Sequence, residues 1–387
     1  MSEAVFRVLV APDSFKGSLG ASAVADRIRA GIIRAVPGAD VVLAPIADGG
    51  EGTAEVMAAT LPGKWDEVRV VEANGMEKAV RYYRGRCNEF GEIAILEVAE
   101  VVGLPQAVAE PGKRTTRGIG QAIRHLASQG VNTIAIGLGG SSTNEAGAGM
   151  LSELGFRFVD GNGKVLCPIL ENLQAIREIG YERPESLAGV RMIALSDVNS
   201  PLCGPTGATY VFGPQKGVTA LAAVDATLAG FAKRCTAALG VDFTEAEGSG
   251  AAGGIGFALR LLGAEVVSGA TFVLRAAGLH KDLNTFDWMI TGEGRSDVQT
   301  MMGKGPATIA YMAREAGVPV TLLSGGIDPS PALTEAFDGC ISIQQGPVSL
   351  NFAMEHAGAL LEEASHQLTR LFASGSRRNL AASSARR

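Results

Sequence analysis

Short apolar segments recur along the chain and alternate with amphipathic stretches. The segments that end in small or acidic residues, as buried parallel strands do, are residues 6–11, 41–47, 93–98, 133–137, 192–196, 288–291 and 320–324. The residues that follow a helical spacing of three and four are Leu221, Val224, Leu228, Phe231, Cys235 and Leu239. The alternation predicts an α/β fold with parallel sheets and crossover helices.

Residues 66–98 follow a different pattern, in which three apolar segments are separated by Asn74-Gly75 and by residues 88–91. Such punctuation predicts β-hairpins. Because β/α sequence resumes near Trp288, we expect two domains with the active site in the cleft between them. The expected ranges are 1–70 plus 285–373 for a domain built from both chain ends and 71–284 for an inserted mixed α/β domain. A disordered tail is predicted for residues 374–387.

Composition narrows the classes of function. The 387 residues are 47% hydrophobic and 19% charged, and 51 of them are glycine, which suits packed β/α layers joined by tight loops. A net charge of −6 without a basic stripe argues against a nucleic-acid partner. The first apolar segment is short and is interrupted by Pro12-Asp13, so we expect neither a signal peptide nor a membrane span. The expected location is cytoplasmic. The scattered cysteines predict reduced thiols.

Polar loops follow the first two predicted strands, where ligands of open α/β sheets bind. Asp13, Ser14 and Lys16 follow the first strand and could bind a carboxylate or a phosphate group. Asp48 and Glu51 lie among glycines after the second strand and could accept a hydroxyl proton or hold Mg²⁺. A capped helix entry or an ordinary turn is the alternative in both places.

A glycine-rich loop after the strand at 133–137 can present N–H and hydroxyl donors to phosphate oxygens. Its candidate ligands are Gly139, Gly140, Ser141, Ser142 and Asn144. Asp197 ends a later strand and is a candidate catalytic base, and Lys216 is a candidate phosphate ligand. The sequence has no Walker A segment of the form G-x-x-x-x-G-K-[ST], so a nucleotide would bind in another way.

Residues 248–254 match the dinucleotide pattern G-x-G-x-x-G, but the polar residues 241–247 before them do not suit the buried strand that a dinucleotide site requires. The pattern match leaves an NAD-dependent hydroxy-acid dehydrogenase as an alternative. Because the preceding residues do not suit a strand, we expect Gly250 in a nucleotide-facing loop instead. Residues 291–306 combine cations with carboxylates, as phosphoryl transfer needs, and a surface salt-bridge cluster is the alternative.

Six segments in order resemble the motifs of the bacterial class I glycerate kinases. They are A-P-D-S-F-K-G-S at 11–18, A-D-G-G-E-G-T at 47–53, G-G-S-S-T-N at 139–144, F-G-P-Q-K-G at 212–217, G-S-G-A-A-G-G at 248–254 and T-G-E-G-R-S-D at 291–297. The resemblance implies a flavodoxin-like parallel-sheet domain and a second domain likened to a restriction-enzyme fold. It also implies ATP, Mg²⁺ and D-glycerate as ligands, and 2-phosphoglycerate as product in glyoxylate or sugar-acid breakdown. Glu145 departs from the family pattern, which has aspartate there.

Under this interpretation we expect direct in-line transfer of the phosphoryl group, with a carboxylate as the base that accepts the hydroxyl proton. The predicted catalytic residues are Asp197, Asp48, Lys16 and Arg295, and the predicted glycerate ligands are Asp13, Ser14, Arg295 and Gln299. The predicted ATP ligands are Gly139, Gly140, Ser141, Ser142, Asn144, Lys216, Gly250 and Lys304, and the predicted Mg²⁺ ligands are Glu51 and Asp297. A non-catalytic sensor of small acids is a further alternative, and either a monomer or a homodimer is compatible with the sequence.

Overall fold

The computed structural model describes residues 5–384. The chain divides into two compact units, one of Asp48–Phe272 and one of Met1–Ala47 together with Val273–Arg387. Both units contain parallel sheets with packed helices, as the alternation of strand and helix patterns predicts. We refer to them as the inserted unit and the terminal unit.

The strands are β1 (Arg7–Val10), β2 (Asp40–Leu43), β3 (Gly63–Val71), β4 (Glu77–Cys87), β5 (Gly91–Glu97), β6 (Thr133–Gly137), β7 (Phe156–Asp160), β8 (Ile176–Tyr181), β9 (Arg191–Leu195), β10 (Glu265–Val267), β11 (Trp288–Thr291), β12 (Arg295–Ser296), β13 (Val320–Ser324), β14 (Gly326–Ile327) and β15 (Gly339–Ser342). The α-helices are α1 (Ala21–Ala35), α2 (Thr53–Thr60), α3 (Val98–Val102), α4 (Arg117–Ser128), α5 (Ala148–Glu153), α6 (Ala208–Phe212), α7 (Leu221–Leu239), α8 (Ala251–Leu261), α9 (Gly269–Ala276), α10 (Gly305–Ala316), α11 (Pro331–Ala336), α12 (Leu350–Glu355) and α13 (Ala357–Ser384).

The terminal unit is built on a parallel sheet with the strand order β15-β13-β11-β1-β2. Counted within the unit this order is 2-1-3-4-5, which flavodoxin-type sheets also have. The strands read as continuous apolar runs because helices cover both faces of such a sheet. Helices α1 and α13 pack on each other, and Trp288 stacks on Phe372 of α13 with ring centroids 4.6 Å apart.

The inserted unit contains a mixed sheet with the order β10-β9-β6-β5-β4-β3. Strands β10, β9, β6 and β5 are parallel, and β5, β4 and β3 form the antiparallel hairpins predicted from residues 66–98. Helix α7 buries Leu228, Phe231 and Cys235, which belong to the predicted apolar stripe. The carboxyl ends of the four parallel strands therefore lie along one edge of this sheet.

The unit boundaries differ from the predicted ranges. Strand β3 pairs with β4 along Gly63–Val71, so residues 48–70 belong with the inserted unit rather than with the N-terminal strands. Pairing partners decide such a boundary, and the composition of the segment does not show them. Helix α13 continues to Ser384 through the segment predicted as a disordered tail, because alanine, leucine and arginine favour helix there. The last predicted tail residues, 385–387, lie outside the described residues.

Two further sequence predictions concern cysteines and membranes. Cys87, Cys167, Cys203, Cys235 and Cys340 are all free thiols, as their scattered spacing predicts. Within residues 5–384, no helix is both long enough and apolar enough to span a membrane.

Candidate active site

The first polar cluster lies where the strand order of the terminal unit reverses. Residues after β1 and β11 meet there, since the Asp13 N–H donates to Gly292 O at 2.8 Å and the Thr291 hydroxyl donates to Ala11 O at 2.8 Å. Ligands of doubly wound sheets bind at this reversal point, outside the strand carboxyl ends. The segments 11–18 and 291–297, both predicted from sequence, therefore form one cluster.

Glu293 is the buried centre of this cluster. Its Oε1 accepts hydrogen bonds from the Thr300 hydroxyl at 2.6 Å and from the Ser296 hydroxyl at 3.3 Å, and Lys304 Nζ lies 3.8 Å from Oε2. The side chain thus fixes the loop between β11 and α10. Glu293 was not among the predicted site residues, although an acidic residue two positions after a buried strand is a usable signal.

The predicted ligands of the terminal unit occupy different environments. Arg295 is exposed and donates to Asp328 Oδ2 at 2.7 Å. Asp297 caps the turn at Val298–Met301, because its Oδ1 accepts the Gln299 N–H at 2.7 Å. Gln299 itself is exposed. The cap occupies one oxygen of a predicted Mg²⁺ ligand.

The residues after β1 are arranged around a turn. Asp13 Oδ1 accepts the Ser14 N–H at 2.6 Å, and Lys16 is exposed. Lys304 precedes the first residue of α10, and its side chain is 40% exposed. Neither lysine side chain would therefore have to leave the protein interior to contact a ligand.

The second cluster lies at the strand carboxyl ends of the inserted unit, where backbones pack without room for side chains. Gly139 N donates to Gly49 O at 3.1 Å, and a Cβ on Gly139 would lie 2.3 Å from Gly50 Cα. A Cβ on Gly49 would lie 2.4 Å from Leu195 O, and its φ is +78°. Glycine is needed at Gly49 for both reasons. The loop at 48–52 is therefore seated on the ends of β6 and β9.

Glu97 anchors this loop from the end of β5. It is 5% exposed, and its carboxylate accepts the Ala54 N–H at 2.7 Å and the Gly52 N–H at 3.4 Å. These N–H groups belong to the first turn of α2, where helices lack internal acceptors. Burial raises the pKa of Glu97 to about 7. Glu97 was not among the residues predicted from the sequence.

The predicted carboxylates of this unit all lie near the strand ends. Asp48 Oδ1 accepts the Gly50 N–H at 2.9 Å, and Glu51 is exposed. Asp197 follows β9, and its Oδ1 accepts the Gly269 N–H at 3.1 Å. Both base candidates therefore have a backbone donor that orients the carboxylate.

Two glycine-rich loops interlock beside these carboxylates. Ala146 N donates to Gly253 O at 3.0 Å, and a Cβ on Gly253 would lie 2.0 Å from Thr143 O. Ala146 and Ala252 have φ of 56° and 54°, a left-handed conformation that costs a non-glycine residue about 1 to 2 kcal/mol. Gly250 N donates to Ser200 O at 2.9 Å, which joins the loop to the segment after Asp197.

The side chains predicted to bind phosphate are turned into the protein. Ser142 Oγ donates to Val102 O at 2.8 Å, and Asn144 Nδ2 donates to Thr209 Oγ1 at 3.0 Å. Lys216 is 3% exposed and donates to Ser141 Oγ at 2.9 Å and to Thr143 O at 2.8 Å. The backbone of Gly139 and Gly140 is more accessible. In this structure the four side chains shape the loop, and the glycine backbone faces outward.

Charged groups underneath the loop are buried together. Glu145 accepts the Thr116 N–H at 3.0 Å and the Ala148 N–H, and burial raises its pKa to about 7. Burial, followed by the charge of Arg114, lowers the pKa of Lys216 to about 7. Glu145 thus ties the loop to the start of α4.

The dehydrogenase alternative lacks its structural basis. Residues 241–247 form no strand in the part of the chain that the structure describes, and Gly250–Gly254 open α8 through a kink with non-helical φ and ψ. A dinucleotide fingerprint requires a buried strand before its first glycine. The match at 248–254 is therefore a loop that packs against residues 143–146.

The described residues contain no group of three or more His, Cys, Asp or Glu side chains placed to hold a metal ion. Mg²⁺ fits this donor set in its usual way, because it needs only one or two carboxylates when phosphates and water complete its shell. A metal held by protein side chains alone would not fit the described residues.

Parallel sheets with carboxylates, lysines and tight glycine loops at their carboxyl ends define the class, an α/β protein that binds small phosphate-bearing ligands. Comparison with known proteins then gives the family. The glycerate kinase family model matches residues 8–373, and the chain belongs to that family. By family it is a kinase, and ATP is its co-substrate.

Individual relatives align with this chain over most of their length. A Bacillus subtilis glycerate kinase is 38% identical over 373 residues, covering 94% of this chain and 96% of that protein. The Escherichia coli glycerate 2-kinase is 37% identical over 328 residues, covering 83% and 85%. A crystal structure of a candidate glycerate kinase 2 from Salmonella typhimurium LT2 superposes with a TM-score of 0.83 at 33% identity, covering 96% of this chain and all of that one. The predicted family is confirmed.

Proposed function

We propose that this kinase transfers the γ-phosphoryl group of ATP to D-glycerate and releases 2-phosphoglycerate. The observation that carries the proposal is that the family's glycine-rich and acidic segments lie at strand carboxyl ends in both units, where small ligands bind. Phosphoryl transfer needs positioning and charge stabilisation more than covalent chemistry, and these loops can supply both.

We assign the ATP phosphates to the loop that starts at Gly139 and Gly140. Because Ser141, Ser142 and Asn144 point into the protein, their side chains hold the loop in this proposal. The N–H groups of Gly139 and Ser142 donate to Gly49 O and Val102 O, so the other backbone N–H groups of the loop bind the phosphates. Gly250 acts in the same indirect way, through its N–H bond to Ser200 O. Lys304, which is exposed, supplies charge to the phosphates.

The proposed base is Asp197, with Asp48 as the second candidate. Each carboxylate has one oxygen oriented by a backbone N–H, from Gly269 and from Gly50 respectively. An oriented carboxylate can accept the proton of the acceptor hydroxyl as the phosphoryl group moves in line. Lys16 is proposed to neutralise charge that develops during transfer.

The proposed ligand for the carboxylate of glycerate is Arg295, assisted by Asp13, Ser14 and Gln299. A guanidinium presents two parallel donors to a carboxylate. Arg295 now pairs with Asp328 on an exposed surface, where an ion pair contributes little, so exchange for a substrate carboxylate costs little. Glu51 and Asp297 are proposed to approach Mg²⁺ bound to the ATP phosphates, where the ion would neutralise developing charge.

The proposal also includes the finer architecture: a flavodoxin-like and a restriction-enzyme-like domain, in a cytoplasmic enzyme without nucleic-acid or membrane partners. Size-exclusion chromatography with light scattering would distinguish a monomer from a homodimer.

Product analysis tests the activity and the position of transfer together. Purified protein is incubated with ATP, Mg²⁺ and D-glycerate, and the product is examined by proton-coupled ³¹P NMR. Phosphate on C2 couples to one carbon-bound proton and gives a doublet, whereas phosphate on C3 couples to two and gives a triplet. A triplet would refute the 2-phosphoglycerate assignment. Glycerate binding by calorimetry without ADP release would favour the non-catalytic sensor.

A further inference from the structure

Arg114 lies just before α4 and has no role in the predictions above. It is 7% exposed, and its guanidinium donates to three main-chain carbonyls. Nε bonds to Ala109 O at 2.9 Å, and Nη1 bonds to Ser142 O at 2.8 Å and to Lys216 O at 2.8 Å. Burial lowers the pKa of Arg114. A buried guanidinium that donates to carbonyls from distant segments fixes those segments relative to one another.

Two of the three carbonyls that Arg114 holds, Ser142 O and Lys216 O, belong to the segments at 139–144 and 212–217. Lys216 closes a ring of contacts, because its carbonyl accepts from Arg114 while its Nζ donates to Ser141 Oγ and Thr143 O. Loop carbonyls would repel an anion, so a phosphate-binding loop needs its carbonyls directed away from the ligand. Because the C=O and N–H of a trans peptide point in opposite directions, holding Ser142 O inward directs the Thr143 N–H the other way.

We propose that Arg114 is a positioning residue for ATP binding, which it supports by holding the carbonyl groups of Ser142 and Lys216 behind the loop. The proposal rests on the proposed function, because it takes residues 139–144 as the phosphate-binding loop. Arg114 does not touch the nucleotide in this scheme. Its buried charge adds a favourable field beneath the phosphates, with Lys216 and Glu145 as the other buried charged groups of the same cluster.

Lysine cannot replace Arg114 in this role. The planar guanidinium serves three carbonyls from a rigid fork, whereas an ammonium group is a compact point donor on a flexible stem. Arg114→Lys keeps the charge and loses the geometry. Arg114→Gln removes the charge and keeps a short amide donor, so it avoids leaving a mispositioned buried cation.

The matched control is Arg234→Met. Arg234 is also partly buried in the inserted unit and donates to a carbonyl, Leu173 O at 3.0 Å. It lies in α7, which packs against β8 and the turn at Leu170–Ala175, and its partner Leu173 lies outside the predicted binding loops. Its loss should affect stability through a similar kind of bond and leave ATP affinity unchanged.

The test is calorimetric titration of each variant with Mg²⁺-ATP, together with steady-state kinetics and thermal unfolding. We expect Arg114→Lys to weaken ATP binding about 10-fold to 10²-fold, since the loss of one hydrogen bond from the displaced loop to a charged phosphate has about that effect. The KM for glycerate should stay within about twofold, and Arg114→Gln should resemble Arg114→Lys. A merely structural role would lower the unfolding midpoint without this split.

The outcomes separate the inference from the proposed function. Wild-type ATP affinity in folded Arg114→Lys or Arg114→Gln would overturn the inference and leave glycerate phosphorylation in place. Unfolding of both variants at temperatures where Arg234→Met stays folded would overturn it as well, because Arg114 would then serve folding. Failure of the unaltered protein to bind ATP or release ADP would overturn the proposed function and the inference with it.

Discussion

The contact between Gly139 and Gly50 gives the most direct test of the loop arrangement in the inserted unit. A Cβ on Gly139 would lie 2.3 Å from Gly50 Cα, 3.3 Å from Gly50 N and 3.4 Å from Gly50 C. Carbon atoms in contact prefer about 3.5 to 4.0 Å, so Gly139→Ala requires the two backbones to separate by more than about 1 Å. All three atoms are backbone, and no flexible side chain can absorb the change.

The displacement must reach the loop that carries Asp48. Gly49 cannot move toward β9, because it already packs against Leu195 O. A misplacement of about 1 Å at a reacting group costs about 10²-fold in rate, or about 2.7 kcal/mol in the activation free energy. Overpacking should also lower the free energy of unfolding by about 1 to 3 kcal/mol. We therefore expect Gly139→Ala to fold and to lose about 10²-fold in kcat.

The assay is ADP release coupled to NADH oxidation, with urea unfolding in parallel. Gly180→Ala is the matched control, because Gly180 lies in β8 of the same unit with no atom within 4 Å of an added Cβ. That change should leave kcat unaltered and stability within about 0.5 kcal/mol. Wild-type kcat in Gly139→Ala would refute the argument that the packing of these backbones positions the catalytic loop.

The remaining predictions concern strain, protonation and the base. Ala252→Gly should leave the free energy of unfolding unchanged or raise it by up to about 1 kcal/mol, because φ is 54° there. Ala226 is an exposed residue of α7, and Ala226→Gly should cost about 1 kcal/mol. Urea unfolding compares the two variants, and an equal loss in both would contradict the strain argument. The pKa of Glu97, raised to about 7 from 4.5, means that the folded protein binds this proton more tightly, so the contribution of Glu97 to stability should fall as pH rises from about 4.5 to about 7 and then level off. Glu97→Gln should remove this share of the pH dependence, which is worth at most about 3 kcal/mol at about 1.4 kcal/mol per pKa unit, while Glu145, whose pKa is also raised to about 7, keeps its own share. An unchanged difference in the free energy of unfolding between pH 5 and pH 8 would reject this cause. Asp197→Asn should lower kcat by about 10²-fold to 10⁴-fold and change the KM for glycerate little. Arg295→Ala should mainly raise that KM. Near-normal turnover in Asp197→Asn would exclude Asp197 as the base.

Much of the fold follows from local sequence. Apolar runs such as residues 133–137 and 288–291 are strands because a strand buried on both faces needs continuous apolar residues. Asn74-Gly75 predicts the β3–β4 hairpin because the turn needs residues that tolerate positive φ, and Gly75 has φ of 88°. The loops after these strands are also predictable from local sequence, because glycine and acidic residues after an apolar run indicate the end of a strand and the start of a loop.

The tertiary structure decided which side chains face a ligand. Ser142, Asn144 and Lys216 have the chemistry of phosphate ligands in the sequence, yet they are buried and bonded internally. Orientation depends on partners such as Arg114, which is 28 residues from Ser142 and 102 from Lys216 along the chain.

The α/β class, the strands and the loops can be predicted from the sequence alone, because they depend on residues that are neighbours in the chain. The unit boundary near residue 47, the anchoring of a loop by Glu97 and the burial of the charged group around Arg114 required the tertiary structure. Each of them depends on hydrogen bonds or strand pairing between segments far apart in sequence, and no local pattern encodes which distant partner a buried polar group will find.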